Sequence, residues 1–168
     1  MTIGILGGGV WGSALAKLFS DQEVLIYTRD KKVMDSINDH HFNPKLKYAV
    51  FNNNVNATDN LEEITNKNLI FIALPSQNIR EVLSKSYFKN LESDIVIASK
   101  GIEISSSMFL SNVVDSLIKP KSLSILSGPC FSDEVAQDLP TAATFASSNS
   151  SIFCLLYTSP SPRDRTRS

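Results

Sequence analysis

Short apolar runs, stretches with apolar residues at helical spacing between them, and a glycine cluster directly after the first run together predict an α/β fold, a doubly wound parallel sheet. The runs are apolar throughout rather than alternating, the pattern of parallel strands covered by helices on both faces. The first is TIGIL (2–6). Trp11, Ala14, Leu15, Leu18 and Phe19 then fall at i, i+3, i+4, i+7 and i+8, one face of a helix. EVLIY (23–27) is the second strand, and Asp30 suits the cap of a following helix. NDHHFNPKLKYAVFNNNVN (38–56) is rich in Asn, has no period, and reads as a loop before a third, weaker strand around VNAT (55–58). LIFIAL (69–74) is the next strand; Pro75 ends it, and Ser76 reads as the cap of a helix over 77–86. DIVIA (94–98) follows, and then Phe109, Val113 and Leu117 recur every four residues beside Leu110, Val114 and Ile118 as a further helix. LSIL (123–126) is the last clear strand, and Asp133 and Glu134 suit the first turn of a helix after it.

At 168 residues, 42% hydrophobic and 20% charged, the chain has material for one globular domain with a real core. A net charge of -1 provides no basic face for phosphate backbones or anionic lipid, so no nucleic-acid and no membrane partner is expected. No apolar run approaches the roughly 18 residues of a membrane span. Ile3 already belongs to a strand, so no secretory signal is expected. Cys130 and Cys154 have neither metal-ligand spacing nor the look of a disulfide framework, and the reading is a reduced, cytoplasmic protein. His40 and His41 lie in the aperiodic stretch without ligand-spaced partners; they read as surface residues, and no metal site is expected.

Gly7, Gly9 and Gly12 form G-x-G-x-x-G directly after a strand and at the opening of a helix, the placement a dinucleotide fingerprint requires in a Rossmann-like sheet. Gly7 makes the turn, Gly9 lets a pyrophosphate approach the backbone, and Gly12 lets helix and strand pack closely. The free N–H groups at the helix start then face the phosphates. A bare glycine-rich turn is the alternative, and the strand before it and helix after it favour the cofactor. The second strand ends in Thr28 and Arg29, with Asp30 just after. A carboxylate there suits the ribose 2′-hydroxyl of NAD, whereas an arginine accommodates the 2′-phosphate of NADP. NADP is therefore favoured over NAD, with Arg29 as the phosphate contact; the alternative is a solvated Arg29 beside an Asp30 that caps the next helix.

Three more stretches stand just beyond the carboxyl ends of strands, where ligands bind in such sheets: ALPSQ (73–77), ASKGIE (98–103) and LSGPCFSDEVA (126–136). The first has a structural explanation in Pro75 and Ser76. In the second, Lys100 follows a buried strand directly and projects its ammonium at the mouth of the cleft. In the third, Gly128 allows close backbone approach and Pro129 sets the turn.

In order and spacing, G-x-G-x-W-G-S-A-L-A, the arginine after the second strand, P-S-Q, S-K-G-I-E, S-G-P-x-F-x-x-E-V-A and L-P-T-A resemble the amino-terminal half of NAD(P)-dependent glycerol-3-phosphate dehydrogenase over about residues 1–150. The resemblance implies that Val10, Trp11, Arg29, Lys100 and Ser132 contact the dinucleotide, and that Lys100, Gly128 and Cys130 touch glycerol 3-phosphate. It implies reversible hydride transfer between nicotinamide and the central carbon of dihydroxyacetone phosphate, supplying glycerol 3-phosphate for phospholipid synthesis, in an enzyme that forms a homodimer when full length. Val10 stands where serine is frequent, Cys130 where serine or threonine is usual, and Ser132 where alanine is common. A thiol is the weaker donor, and Cys130 reads as a small buried residue rather than a reactive one.

The resemblance places the general acid/base on a lysine in a later G-x-x-K-N stretch, followed by an all-helical domain, so no catalytic residue is expected in this chain and the fold is expected to be truncated before that domain. The dinucleotide-binding domain is taken as 1–152. Residues 153–168 have no apolar period, crowd Arg163, Arg165 and Arg167 beside Pro160 and Pro162, and resemble translated adapter or vector sequence; a native disordered basic tail is the alternative. The chain alone is expected to be catalytically silent. A non-catalytic dinucleotide-binding module is the competing class of function. Within the enzymes, a β-hydroxyacid dehydrogenase or ketopantoate reductase is the competing member.

Overall fold

The computed structural model describes residues 1–89 and 91–147. The boundary expected at 152 and the tail 153–168 lie outside the described residues. Strands β1 (Thr2–Leu6), β2 (Glu23–Tyr27), β3 (Val55–Thr58), β4 (Leu69–Ile72) and β5 (Asp94–Ile97) are followed by a two-stranded hairpin of β6 (Ile102–Glu103) and β7 (Met108–Phe109). The last two strands are β8 (Ser122–Ser127) and β9 (Thr144–Ser147). Helices α1 (Val10–Leu18), α2 (Lys31–His40), α3 (Ile79–Leu83), α4 (Leu110–Leu117) and α5 (Ser132–Ala136) connect them.

The main sheet runs β3-β2-β1-β4-β5-β8-β9. All pairs are parallel but the last. The chain order reverses between β1 and β4, which opens a crevice at their carboxyl ends. Alternate residues of each central strand feed two cores. Ile3, Ile5, Leu69, Phe71 and Val96 join α1 and α2 on one face, where the rings of Phe19 and Phe71 stack with centroids 5.2 Å apart. Leu6, Ile70, Ile72, Ile95 and Ile97 join α3 and α4 on the other. Burial on both faces explains the unbroken apolar runs.

Several expectations change. β9 is antiparallel to β8, Ser127 pairing with Thr144. The intervening α5 packs back on α1, tied there by Lys17 Nζ to Asp138 Oδ2 at 2.8 Å, so the chain never returns to the amino edge and re-enters the sheet reversed. Phe109 does not belong to the buried face of α4; it pairs with Ile102 in the hairpin and is 69% exposed, and α4 begins one residue later. Leu18 is likewise exposed at the end of α1. In place of one helix over 77–86 there is a 3₁₀ turn, Ser76–Asn78, and then α3. Ser76 does not cap it: Ser76 lies inside the turn, whose cap position Pro75 occupies, and its hydroxyl accepts from Gln77 Nε2 at 2.9 Å. The stretch 38–56 is less of a loop than its composition suggests: α2 reaches His40, Phe42 bridges to Val50, and Asn43, Leu46, Ala49 and Phe51 are buried. His41 is not a plain surface residue; it ends α2 with φ 56°, is half-buried, and its Nδ1 is enclosed without a partner.

Candidate functional site

The glycine loop takes its shape from what a side chain would strike. Gly7 has φ 124°, and a Cβ there would lie 2.6 Å from Ala73 O. At Gly12 a Cβ would lie 1.9 Å from Gly7 O, so α1 approaches the turn as closely as backbone permits. A Cβ at Gly9 would meet nothing within 4 Å. That open side faces the crevice. No side chain caps α1, and the first N–H to reach an acceptor within it is that of Ser13, on Gly9 O at 3.0 Å. The amides of Val10, Trp11 and Gly12 are therefore left for an anion, with the helix dipole behind them. An open approach beside three unpartnered amides fits a pyrophosphate.

A cleft of about 630 Å³ runs along this edge. It brings together Gly7, Gly9, Val10, Trp11, Arg29, Lys100, Cys130 and Ser132. Gly12 lies behind it, holding the turn. Gly128, with φ 155° and its backbone against Ala142 and Ala143, lines a neighbouring cavity of about 470 Å³ together with Gly101, Phe109 and Ile125. Lys100 lines both cavities and stands at their joint. Lys100 and Arg29 are exposed and form no ion pair among the described residues, so their charge is free for a ligand.

The walls are braced from behind. Trp11 Nε1 donates to Ala98 O at 3.0 Å, laying the indole against the end of β5. Ser99 Oγ donates to Leu74 O at 2.6 Å, joining the ends of β4 and β5 just before Lys100. The Gln77 side chain reads the backbone of the hairpin that follows Lys100, donating to Ile102 O at 2.9 Å and accepting from Ile104 N at 3.0 Å. Arg80 Nε and Nη2 donate to Glu103 Oε1 and Oε2 at 2.9 and 2.7 Å, and Ser106 Oγ also donates to that buried carboxylate. The Arg80 guanidinium, then the Ser106 hydroxyl, hold the Glu103 carboxyl below the usual carboxylate range. Cys130 is buried and gives its thiol hydrogen to Ala142 O, with Sγ 3.1 Å away, in keeping with a small residue that fixes the turn.

Asp30 caps α2, accepting from the amides of Lys32 and Val33 at 3.1 and 3.4 Å, and its second oxygen meets Lys45 Nζ at 2.6 Å. The Lys45 contact chiefly holds its carboxyl below the ordinary range. Lys45 lines the cleft and was not among the candidates drawn from the sequence. Neither was Asn43, fully buried, whose Nδ2 donates to Gly8 O and Ser13 Oγ at 3.1 and 2.6 Å. The only local signal for either was the Asn43–Pro44 dipeptide, a turn marker. Among the described residues, no group of His, Cys, Asp and Glu could hold a metal ion, and no helix is long and apolar enough to cross a membrane.

The family described as NAD-dependent glycerol-3-phosphate dehydrogenase N-terminus matches residues 2–153. A glycerol-3-phosphate dehydrogenase (NAD(P)+) of Neorickettsia sennetsu is 40% identical over 149 residues, 86% of this chain and 45% of its own length. One of Zymomonas mobilis is 34% identical over 152 residues, 89% of this chain and 44% of its own. The crystal structure of glycerol-3-phosphate dehydrogenase from Coxiella burnetii matches with a TM-score of 0.83 at 29% identity, covering 94% of this chain and 50% of that one. The chain thus spans about half the length of the relatives it matches. The resemblance read from the motifs and the Rossmann-like sheet are both borne out.

Proposed function

We propose, from the premise that this chain belongs to the NAD-dependent glycerol-3-phosphate dehydrogenase family, that it is the dinucleotide-binding part of an enzyme interconverting sn-glycerol 3-phosphate and dihydroxyacetone phosphate with NAD(P)(H). The observation that carries this reading is Lys100 at the joint of two cavities, one built on the glycine loop and one on Gly128. A bare nucleotide-binding module has no need of the second.

When bound, the dinucleotide supplies or accepts the hydride at its nicotinamide. The chain itself does the holding. The amides of Val10, Trp11 and Gly12 bind the pyrophosphate, and Arg29 receives the 2′-phosphate, which favours NADP. Ser132 and the Trp11 indole line the same cleft, the indole held against the end of β5 by its bond to Ala98 O. The Lys100 ammonium stabilises negative charge on the substrate and on its oxygen as the ketone is reduced, while the bare backbone at Gly128 lets the substrate close in. No proton-transfer role falls to a described residue; the resemblance assigns it to a lysine of the relatives' second half. We further place the enzyme in the cytoplasm, as a homodimer when full length, supplying glycerol 3-phosphate for phospholipid synthesis, with residues 1–152 as its dinucleotide-binding domain.

The test is a chimera of residues 1–147 with the carboxyl-terminal half of the Neorickettsia sennetsu relative, assayed for NADPH oxidation. The expected result is turnover of dihydroxyacetone phosphate and none of ketopantoate, lost on Lys100→Ala by roughly a hundredfold or more. A folded chimera that binds NADPH but reduces only ketopantoate or a β-hydroxyacid precursor contradicts the substrate assignment. Near-normal kinetics in Lys100→Ala removes that lysine from the site.

A further inference from the structure

We propose that Lys45 is a specificity-determining cation, forming with Arg29 a two-pronged clamp for the 2′-phosphate of NADP, and that Asp30 holds Lys45 in place until that phosphate arrives. The proposal rests on the dinucleotide reading above and extends it to which dinucleotide is chosen and by what.

Charge bookkeeping at the end of β2 raises the question. A phosphate monoester carries about -1.5 to -2 charges near neutral pH. Arg29 alone offers one positive charge, and the next residue is a carboxylate. Asp30 is engaged there as the cap of α2, its Oδ1 accepting from the amides of Lys32 and Val33 at 3.1 and 3.4 Å, and turning away would give up both bonds. A 2′-phosphate on Arg29 would therefore sit beside an anion, and like charges at close range repel. A second cation is required if NADP is to be favoured there.

Lys45 is that cation by position. Its Nζ is 2.6 Å from Asp30 Oδ2, and it lines the same cleft as Arg29; Lys31 and Lys32, adjacent in the chain, do not. Its place is set by Asn43 rather than by chance. Asn43 Oδ1 accepts the Lys45 N–H at 2.9 Å while both Nδ2 hydrogens are spent on the glycine loop and the first turn of α1. The lysine backbone is thus stapled to the phosphate-binding loop itself. The ammonium, half exposed, keeps the freedom of its stem and three donors. Asp30 retains two backbone N–H bonds if Lys45 swings to a phosphate, so the exchange strands no partner. With NAD there is nothing to exchange for, and the Lys45–Asp30 pair stays closed.

The experiment measures NADPH and NADH affinity of the 168-residue chain by fluorescence of Trp11, its only tryptophan, in wild type, Lys45→Met and Lys45→Arg, with circular dichroism melts as a fold check. Lys45→Met should lower the NADPH to NADH affinity ratio roughly tenfold, and Lys45→Arg should recover most of it, since the loss is one charge-assisted contact to phosphate. Lys45→Met should also flatten the salt dependence of NADPH binding relative to NADH. An unchanged ratio, or an equal fall for both cofactors, overturns the clamp while leaving the dinucleotide reading intact. Folded wild-type chain that binds neither cofactor overturns the dinucleotide reading, and the clamp with it.

Discussion

Exchanging the second and third glycines of the loop for alanine separates folding from binding, because the two side chains would meet opposite surroundings. At Gly12 the new Cβ would stand 1.9 Å from Gly7 O, and that gap must widen beyond 3.0 Å before any real contact is possible. The obstacle is backbone, held in turn by Gly7 N–H on Tyr27 O at 3.1 Å, so no rotamer relieves it. Alanine would ordinarily gain about 1 kcal/mol over glycine within a helix. Overpacking a closed contact costs about 1–3 kcal/mol and more when backbone must move. We expect a net loss of about 2 kcal/mol, read as a fall in Tm of roughly 4–8 °C. At Gly9 a Cβ meets nothing within 4 Å and φ is -79°, so Gly9→Ala should keep its stability to within about 1 kcal/mol. It should nonetheless bind NADPH at least about tenfold more weakly, the methyl standing where the pyrophosphate closes on the loop. Thermal melts and fluorescence titrations of both variants make the assay. Wild-type affinity in Gly9→Ala refutes the placement of the phosphates, and a wild-type Tm in Gly12→Ala refutes the packing.

Asn43→Ala leaves the buried Ser13 hydroxyl and the Lys45 amide without their partner and should cost about 2–3 kcal/mol in urea unfolding, with weaker NADPH binding as the glycine loop loosens. Glu103 has a folded carboxyl held below its ordinary value of 4.5 by Arg80, so its contribution to stability is present above about pH 4.5 and is lost as pH falls through the lower folded value. Glu103→Gln should therefore lower Tm at neutral pH and show a shallower decline than wild type below pH 4.5; parallel declines would show that the pair does not carry this dependence. 

The sheet was legible because its central strands are buried on both faces, which leaves an apolar run with no alternation to misread. Gly7, Gly9, Arg29 and Lys100 were legible for a related reason: each stands just past the end of such a run, where topology decides that it faces the crevice, while Gly12, buried behind the cleft, was legible only through its spacing from the other two glycines. What composition hid depends on contacts between distant segments. Asn43 lies in a stretch without period, and its role exists only through Gly8 and Ser13, some thirty residues earlier. Gln77 was visible within P-S-Q, but nothing local shows that its amide pairs with Ile102 and Ile104. Phe109 continued the periodicity of α4 and still left it, because pairing with Ile102 outweighed one more buried ring. The reversed β9 follows from where α5 docks, which no run of residues 128–143 declares.

Trp11 is the chain's only tryptophan and lies in the wall of the cleft, so titrating the 168-residue chain with NADPH while following its fluorescence tests the dinucleotide site most directly. Saturable quenching with energy transfer to the nicotinamide, sharply weakened in Gly9→Ala, is the predicted result. A folded chain whose Trp11 emission shows no saturable response to NADPH or NADH would contradict it.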